Sequence, residues 1–248
     1  MSLSSPRFQP FDTLLDHDDA LKTLRAAVSG ADDGELFLER RRSESLVFDD
    51  GRLKNASYDA SEGFGLRAVN GETAGYAHST EISQGALTRA AETARLAVGA
   101  GGGTLAEGPQ ATNRRLYIDT NPMDDATFPV KIETLREIDA YARALDPRVV
   151  QVSASLGASV QEVFILRPEG TLLADTRPMT RLNISVIVEH NGRRESGGAG
   201  FGGRGHLSGL IKASNWRETA AEALRIALVN LEAVPAPPPG GVEPGRLD

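Results

Sequence analysis

Residues 180–200, TRLNISVIVEHNGRRESGGAG, carry the clearest structural signal in the chain. Leu182, Ile184, Val186 and Val188 alternate with Arg181, Asn183, Ser185 and Ile187, a period of two that marks a strand with one face buried. Asn191-Gly192 follows, a pair that tolerates the positive φ of a tight hairpin turn. Residues 193–200 then run back. The same grammar recurs upstream. Residues 35–42 (ELFLERRR) and 44–49 (ESLVFD) lead to a turn at Asp50-Gly51, and 52–59 return. Phe64, Leu66 and Ala68 alternate before Asn70-Gly71, which leads into 73–79 (TAGYAHS). Between these blocks, 148–156, 159–167 and 170–176 read as further strands, with Glu169-Gly170 as a turn.

Four helices separate and flank the strand blocks. The first spans about 18–29, capped by Asp18 and closed by Gly30. The second, about 84–99, takes Ser83 as its cap. The third, about 129–145, has Pro129 in its first turn and is stopped by Pro147. The last, about 215–232, has Asn215 and Glu218 at capping-box spacing. Strands in blocks, joined by hairpins and flanked by helices, define an α+β fold with an antiparallel sheet. Periodicity alone leaves open whether the two blocks, 35–79 and 148–200, share one sheet. The expected domain covers 1–234. Residues 235–248 (PAPPPGGVEPGRLD) lose all periodicity and read as a disordered tail.

Composition narrows the chemistry. The chain has 248 residues, 27 Lys and Arg against 34 Asp and Glu, a formal charge of −7, no Cys and four His. Without Cys there is no disulfide, thiolate metal site or cysteine nucleophile. An acidic surface disfavours broad nucleic-acid binding. No apolar run reaches the length of a membrane span. His17, His78, His190 and His206 are dispersed, so no local zinc motif exists. His17, among Asp16, Asp18 and Asp19, reads as the polar start of a helix. His78-Ser79 and His206-Leu207-Ser208 pair imidazole with hydroxyl; neighbours on a strand face opposite ways, so His78 and Ser79 should not meet, and neither pair reads as catalytic. Arg40-Arg41-Arg42 reads as a solvated rim. Gly99–Gly103 follows a helix, the wrong place for a phosphate cradle. The glycine-rich run 197–205 reads either as a loop or as a sheet edge that another extended backbone could approach. The candidate substrate-binding residues there are Arg194, Gly198, Gly200, Gly202 and Arg204, with Arg193 beside them.

Several segments, taken in order, resemble the TldD/PmbA family: DGRLKN at 50–55, EGFGLR at 62–67, GYAHS at 75–79, DTRP at 175–178 with the hairpin after it, and ALVNLEAVPA at 227–236. The last is closer to TldD than to PmbA. The resemblance spans about residues 12–236. It implies a cytoplasmic zinc metallopeptidase that cleaves unfolded or extended peptides, paired with a PmbA/TldE-like subunit or self-associated. Family members carry a His-Glu-x-x-x-His motif shortly after the segment matching Val234–Pro237. There, zinc acidifies its bound water and polarises the scissile carbonyl while the glutamate takes the proton. Here the sequence after Pro237 is PPGGVEPGRLD, without that motif. The resemblance therefore implies an N-terminal portion with no catalytic or metal-binding residue and no cofactor of its own, inactive alone, with zinc expected in the full-length protein. Two other expectations stand beside it: a stand-alone peptide-binding or partner-interaction domain, and the DNA gyrase modulator role attached to the family's name.

Overall fold

The computed structural model describes residues 7–98 and 118–234. A six-stranded antiparallel sheet organises them. The strands are β1 (Asp33–Asp49), β2 (Arg52–Asn70), β3 (Thr73–Ser79), β4 (Val149–Leu166), β5 (Leu172–His190) and β6 (Arg193–Gly203). Their spatial order is β3-β2-β1-β4-β5-β6, so the two strand blocks are one sheet, joined by the β1–β4 ladder from Leu36↔Leu166 to Asp49↔Ser153.

The turns sit where residues permit them. Asp50-Gly51 has φ of 49° and 75°, and Asn191-Gly192 has 52° and 77°. The second turn is corrected by one residue: Asn70 pairs with Thr73, and Gly71 (φ 57°) and Glu72 make the loop. Strands that read as broken pieces are continuous. The pieces 35–42 and 44–49 are one strand, as are 148–156 and 159–167, and 170–176 and 180–190. The central strands gain ladder bonds from both sides, and these carry them through Ser43 and Gly157. Pro178 is tolerated because β6 ends opposite Thr180, leaving β5 as an edge beyond that point.

The helices are α1 (Pro10–Thr13), α2 (His17–Ala27), α3 (Gln84–Val98), α4 (Phe128–Leu145), α5 (Leu207–Leu210) and α6 (Ala213–Glu232), with a 3-10 turn at Pro122–Asp125. Asp16, rather than Asp18, caps α2 by accepting the Asp19 amide. Ser83 accepts the Ala86 amide at the start of α3. Asn215 forms no capping box. Helix α6 begins earlier, at Ala213, and the Asn215 side-chain amide donates to Gly209 O.

Even-numbered residues of β1 and β4 face the helices. Leu36, Leu38 and Leu166 join α2 and α3 in one core; Leu46, Phe48, Val152, Ala154 and Leu156 join α4 and α6 in the other. Each half therefore has the order helix, three-stranded meander, helix: α2-β1-β2-β3-α3, then α4-β4-β5-β6-α6 with α5 inserted. In each half a glycine of the outer strand lets the last helix sit on the backbone. A Cβ at Gly75 would overlap Ala94 O of α3, and one at Gly197 would overlap Ala223 O of α6. No helix of the described residues is long and apolar enough to cross a membrane. The Pro/Gly tail (235–248) and Gly99–Gly103 lie outside the described residues.

Candidate functional site

Between the two cores the helix-facing side of the sheet turns polar. Arg40, Arg42 and Glu44 continue the row of Leu36 and Leu38 on β1, and Glu162 continues the row of Leu166 on β4. Glu162 is the centre. Its Oε2 accepts from Arg40 Nε at 3.2 Å, Arg40 Nη2 at 3.1 Å and Arg42 Nη2 at 3.1 Å. Its Oε1 accepts the amide of Phe8 at 2.8 Å, strapping the N-terminal segment across the sheet. The Arg40 guanidinium lies 5.1 Å from the centroid of the Phe8 ring, within cation–π range. Further along β1, the Glu44 carboxylate accepts from Lys131 of α4, which also donates to Met123 O at 3.0 Å.

This corrects the reading of Arg40-Arg41-Arg42 as a solvated rim. Arg41 is exposed, but Arg42 is 7% exposed and Glu162 4%. The Arg42 Nε makes no hydrogen bond among the described residues. Burying these charges is tolerable only because each meets an opposite charge at hydrogen-bond distance. The signal that could have found them is parity: Arg40, Arg42 and Glu162 hold inward positions in strands whose other inward residues, Glu44 apart, are apolar.

The cluster floors a cleft of about 330 Å³, lined also by Asp119, Asn121, Asp125 and His206. Here Asp125 Oδ2 accepts from the Ser208 amide at 3.2 Å and the Ser208 hydroxyl at 3.1 Å, and Asp125 Oδ1 lies 3.3 Å from His206 Nδ1. Burial alone would raise the Asp125 carboxyl. The Ser208 amide and hydroxyl and the His206 ring outweigh it and hold it below the usual carboxylate range. The three residue types of a hydrolytic triad meet, but in the wrong order. A triad needs the imidazole between hydroxyl and carboxylate, whereas here the carboxylate lies between the other two. The group ties α5 to the 3-10 turn. His78 stacks on Tyr76, and His17 opens α2 beside Asp18.

Zinc does not fit the described residues. Among the described residues no group of three or more His, Cys, Asp or Glu side chains could hold a metal ion.

The candidates on β6 line up. Arg194, Gly198, Gly200 and Gly202 share the face opposite the helices, where the sheet carries Ser153, Ser155, Asn183 and Ser185. Gly198 and Gly200 line a shallow depression of about 350 Å³ with these residues and Arg181. Gly202 lies opposite Arg181, and Arg204 stands just past the strand. Arg194 lies toward the other end of β6, ion-paired with Glu189. The glycines have an internal reason as well. A Cβ at Gly200 would crowd Asn183 and Leu182 O, and one at Gly202 would overlap Thr180 O. At its other end the outer strand is held by α6: Asn230 Nδ2 donates to Ser196 O at 2.9 Å, and Arg193 donates to Asn230 O and Ala233 O.

The two halves of this sheet match two consecutive family models. Residues 34–98 match the PmbA/TldA metallopeptidase domain 1, and residues 121–231 match the PmbA/TldA metallopeptidase central domain. The chain belongs to this metallopeptidase family. Among individual proteins it is similar to the metalloprotease TldD homolog of Haemophilus influenzae, with 41% identity over 214 residues, covering 83% of this chain and 44% of that protein. The TldD homolog of Buchnera aphidicola subsp. Schizaphis graminum is 32% identical over 234 residues, covering 90% and 48%. The chain thus spans about half the length of the curated relatives it matches. Two crystal structures share the fold. A candidate modulator of a DNA gyrase from Thermotoga maritima superposes with a TM-score of 0.69 at 17% identity, covering 86% of this chain and 47% of that one. TldE from Thermococcus kodakarensis gives 0.66 at 14% identity, covering 83% and 46%.

Proposed function

We propose that this chain supplies the scaffold of a TldD-like zinc metallopeptidase that cleaves unfolded or extended peptides. The catalytic metal site lies outside the two domains present here. In this reading the sheet and its helices wall the substrate chamber and support contact with a PmbA/TldE-like subunit or a second copy, in the cytoplasm. The observation that carries the reading is the ordered match of domain 1 and the central domain, together with identity to TldD homologs of about twice the matched length. The test is peptidase activity of the purified chain with added zinc and an unstructured peptide. No turnover is expected. Robust turnover abolished by a chelator would overturn the proposal.

A second reading has its own support. Strand β6 is an outer strand whose bare-face residues are Gly198, Gly200 and Gly202, so an extended peptide could add along it. Titration of the chain with unfolded peptides separates the two readings: saturable binding here favours a peptide-capturing module, and binding found only with the longer protein favours the scaffold. Direct DNA contact is disfavoured by the net charge of −7.

A further inference from the structure

The sheet has a second free edge with a different character. Strand β3 pairs with β2 only from Phe64 onward, so residues 52–63 of β2 have β1 on one side and none of the described strands on the other. Every residue from Arg52 to Glu62 except Ser57 is exposed. Tyr58 is 60% exposed and Leu53 38%. A strand wet on both faces and unpaired along one edge is a template for another strand, and proteins that must stay apart block such edges. The other edges here are each short, interrupted or held at one end. Beyond β6, strand β5 carries Pro178. Strand β6 carries α6 and the Asn230–Ser196 hydrogen bond. Strand β3 is seven residues long with α3 seated on Gly75. The free arm of β2 contains no proline.

Its charges indicate the occupant. On a protein of net charge −7 this segment is neutral: Arg52 and Lys54 lie at its start, and Asp59 and Glu62 at its end. Laid antiparallel on itself, the basic end of each copy meets the acidic end of the other. A two-fold axis at Tyr58 pairs Ala56 with Ala60, brings the two Tyr58 rings together between small neighbours, and sets Lys54, at the bulge that shifts the β1–β2 register, across from Glu62 twice. A self-complementary patch of this kind is what a closed two-fold contact requires. The geometry points to residues 52–62 of β2 as the interface with a second copy of this chain, joined edge to edge into one continuous sheet. This makes specific the second-copy contact of the proposed scaffold, and its test reads association alone, independently of peptidase activity.

The experiment is sedimentation equilibrium of the chain and of two charge reversals, Lys54→Glu and Glu62→Lys. The parent associates to a dimer as concentration rises. Each variant alone opposes like charges at both symmetric pairs and dimerises about tenfold more weakly. An equimolar mixture restores association. The carboxylate introduced at position 54 of one variant then meets the ammonium introduced at position 62 of the other, while native Lys54 and Glu62 complete the second pair. That recovery also shows that both variants are folded. A chain that stays monomeric, or a dimer indifferent to both reversals, or a mixture no stronger than its components would overturn the assignment.

Discussion

Replacing Glu162 with alanine tests whether the polar strip between the two cores is held together as described. The carboxylate takes three guanidinium hydrogen bonds at 3.1–3.2 Å and one amide at 2.8 Å. At that spacing, with an effective dielectric constant of about 20, each charge pair is worth about 5 kcal/mol of attraction. Desolvation of several kcal/mol per ion offsets most of it, so the intact cluster adds little net stability. Removing one partner is a different matter. Arg40 and Arg42 would face each other across a cavity, and the Phe8 amide would lose its acceptor. The expected loss is about 4 kcal/mol, within the range for breaking a buried ion pair. Trp216, the single tryptophan, is 2% exposed in the second core, so its fluorescence reports urea unfolding directly. With a slope of about 3 kcal/mol per M, the midpoint should fall by about 1.3 M. The triple variant Arg40→Leu, Arg42→Leu, Glu162→Leu should recover most of that loss. A drop below about 1 kcal/mol for the alanine variant, or a triple variant no better than it, would refute this account of the strip.

Other outcomes follow from the same physics. Gly197→Ala should destabilise the chain by about 2–3 kcal/mol, seen in thermal unfolding, since its methyl would overlap the backbone of α6. Asp146 is held at about 2 by the Arg148 side chain, with the Arg148 amide helping and burial opposing. Its folded pKa lies below the unfolded value of about 3.9, so its contribution is complete above about pH 5 and fades as pH falls toward 2. Asp146→Asn should flatten the stability profile across that window while leaving its shape at neutral pH unchanged. Asp125→Ala removes the acceptor of the Ser208 amide and hydroxyl. Amide exchange at residues 207–210 should then rise well above that of α6.

Turn chemistry is the most readable part of the sequence. Asp50-Gly51 and Asn191-Gly192 announce their hairpins because few other residue pairs accept positive φ at both positions. Strand lengths are less readable, because Ser43 and Gly157 look like breaks until their neighbours on both sides are known, and Pro178 until the end of β6 is. The union of the two blocks through β1 and β4 is not encoded locally at all. Arg40 and Arg42 mislead for the same reason. Their partner Glu162 lies 122 and 120 positions away in sequence, and only the register brings the three together. The start of α2 shows a smaller version of this. Several polar residues at 16–19 suit a cap, and only the backbone direction at Asp16 selects the one that serves. On β6 the reverse holds: the glycine run is conspicuous, yet part of its cause is the crowding of its own neighbours, Asn183 and Thr180.

The seam between β1 and β4 offers a practical handle. Among the described strands it is the one ladder that crosses from the first half to the second, and each half carries its own meander and its own helices. The architecture therefore suits fragment complementation. Two polypeptides, one ending near residue 98 and one starting near residue 118, would each hold most of one hydrophobic cluster, the first completed by Leu166 and the second by Leu46 and Phe48. They would need to zip along 14 residue pairs, Leu36↔Leu166 through Asp49↔Ser153, to rebuild the whole. Reporter groups fused to such pieces would read out, in living cells, how readily an antiparallel seam with a charged middle finds its register.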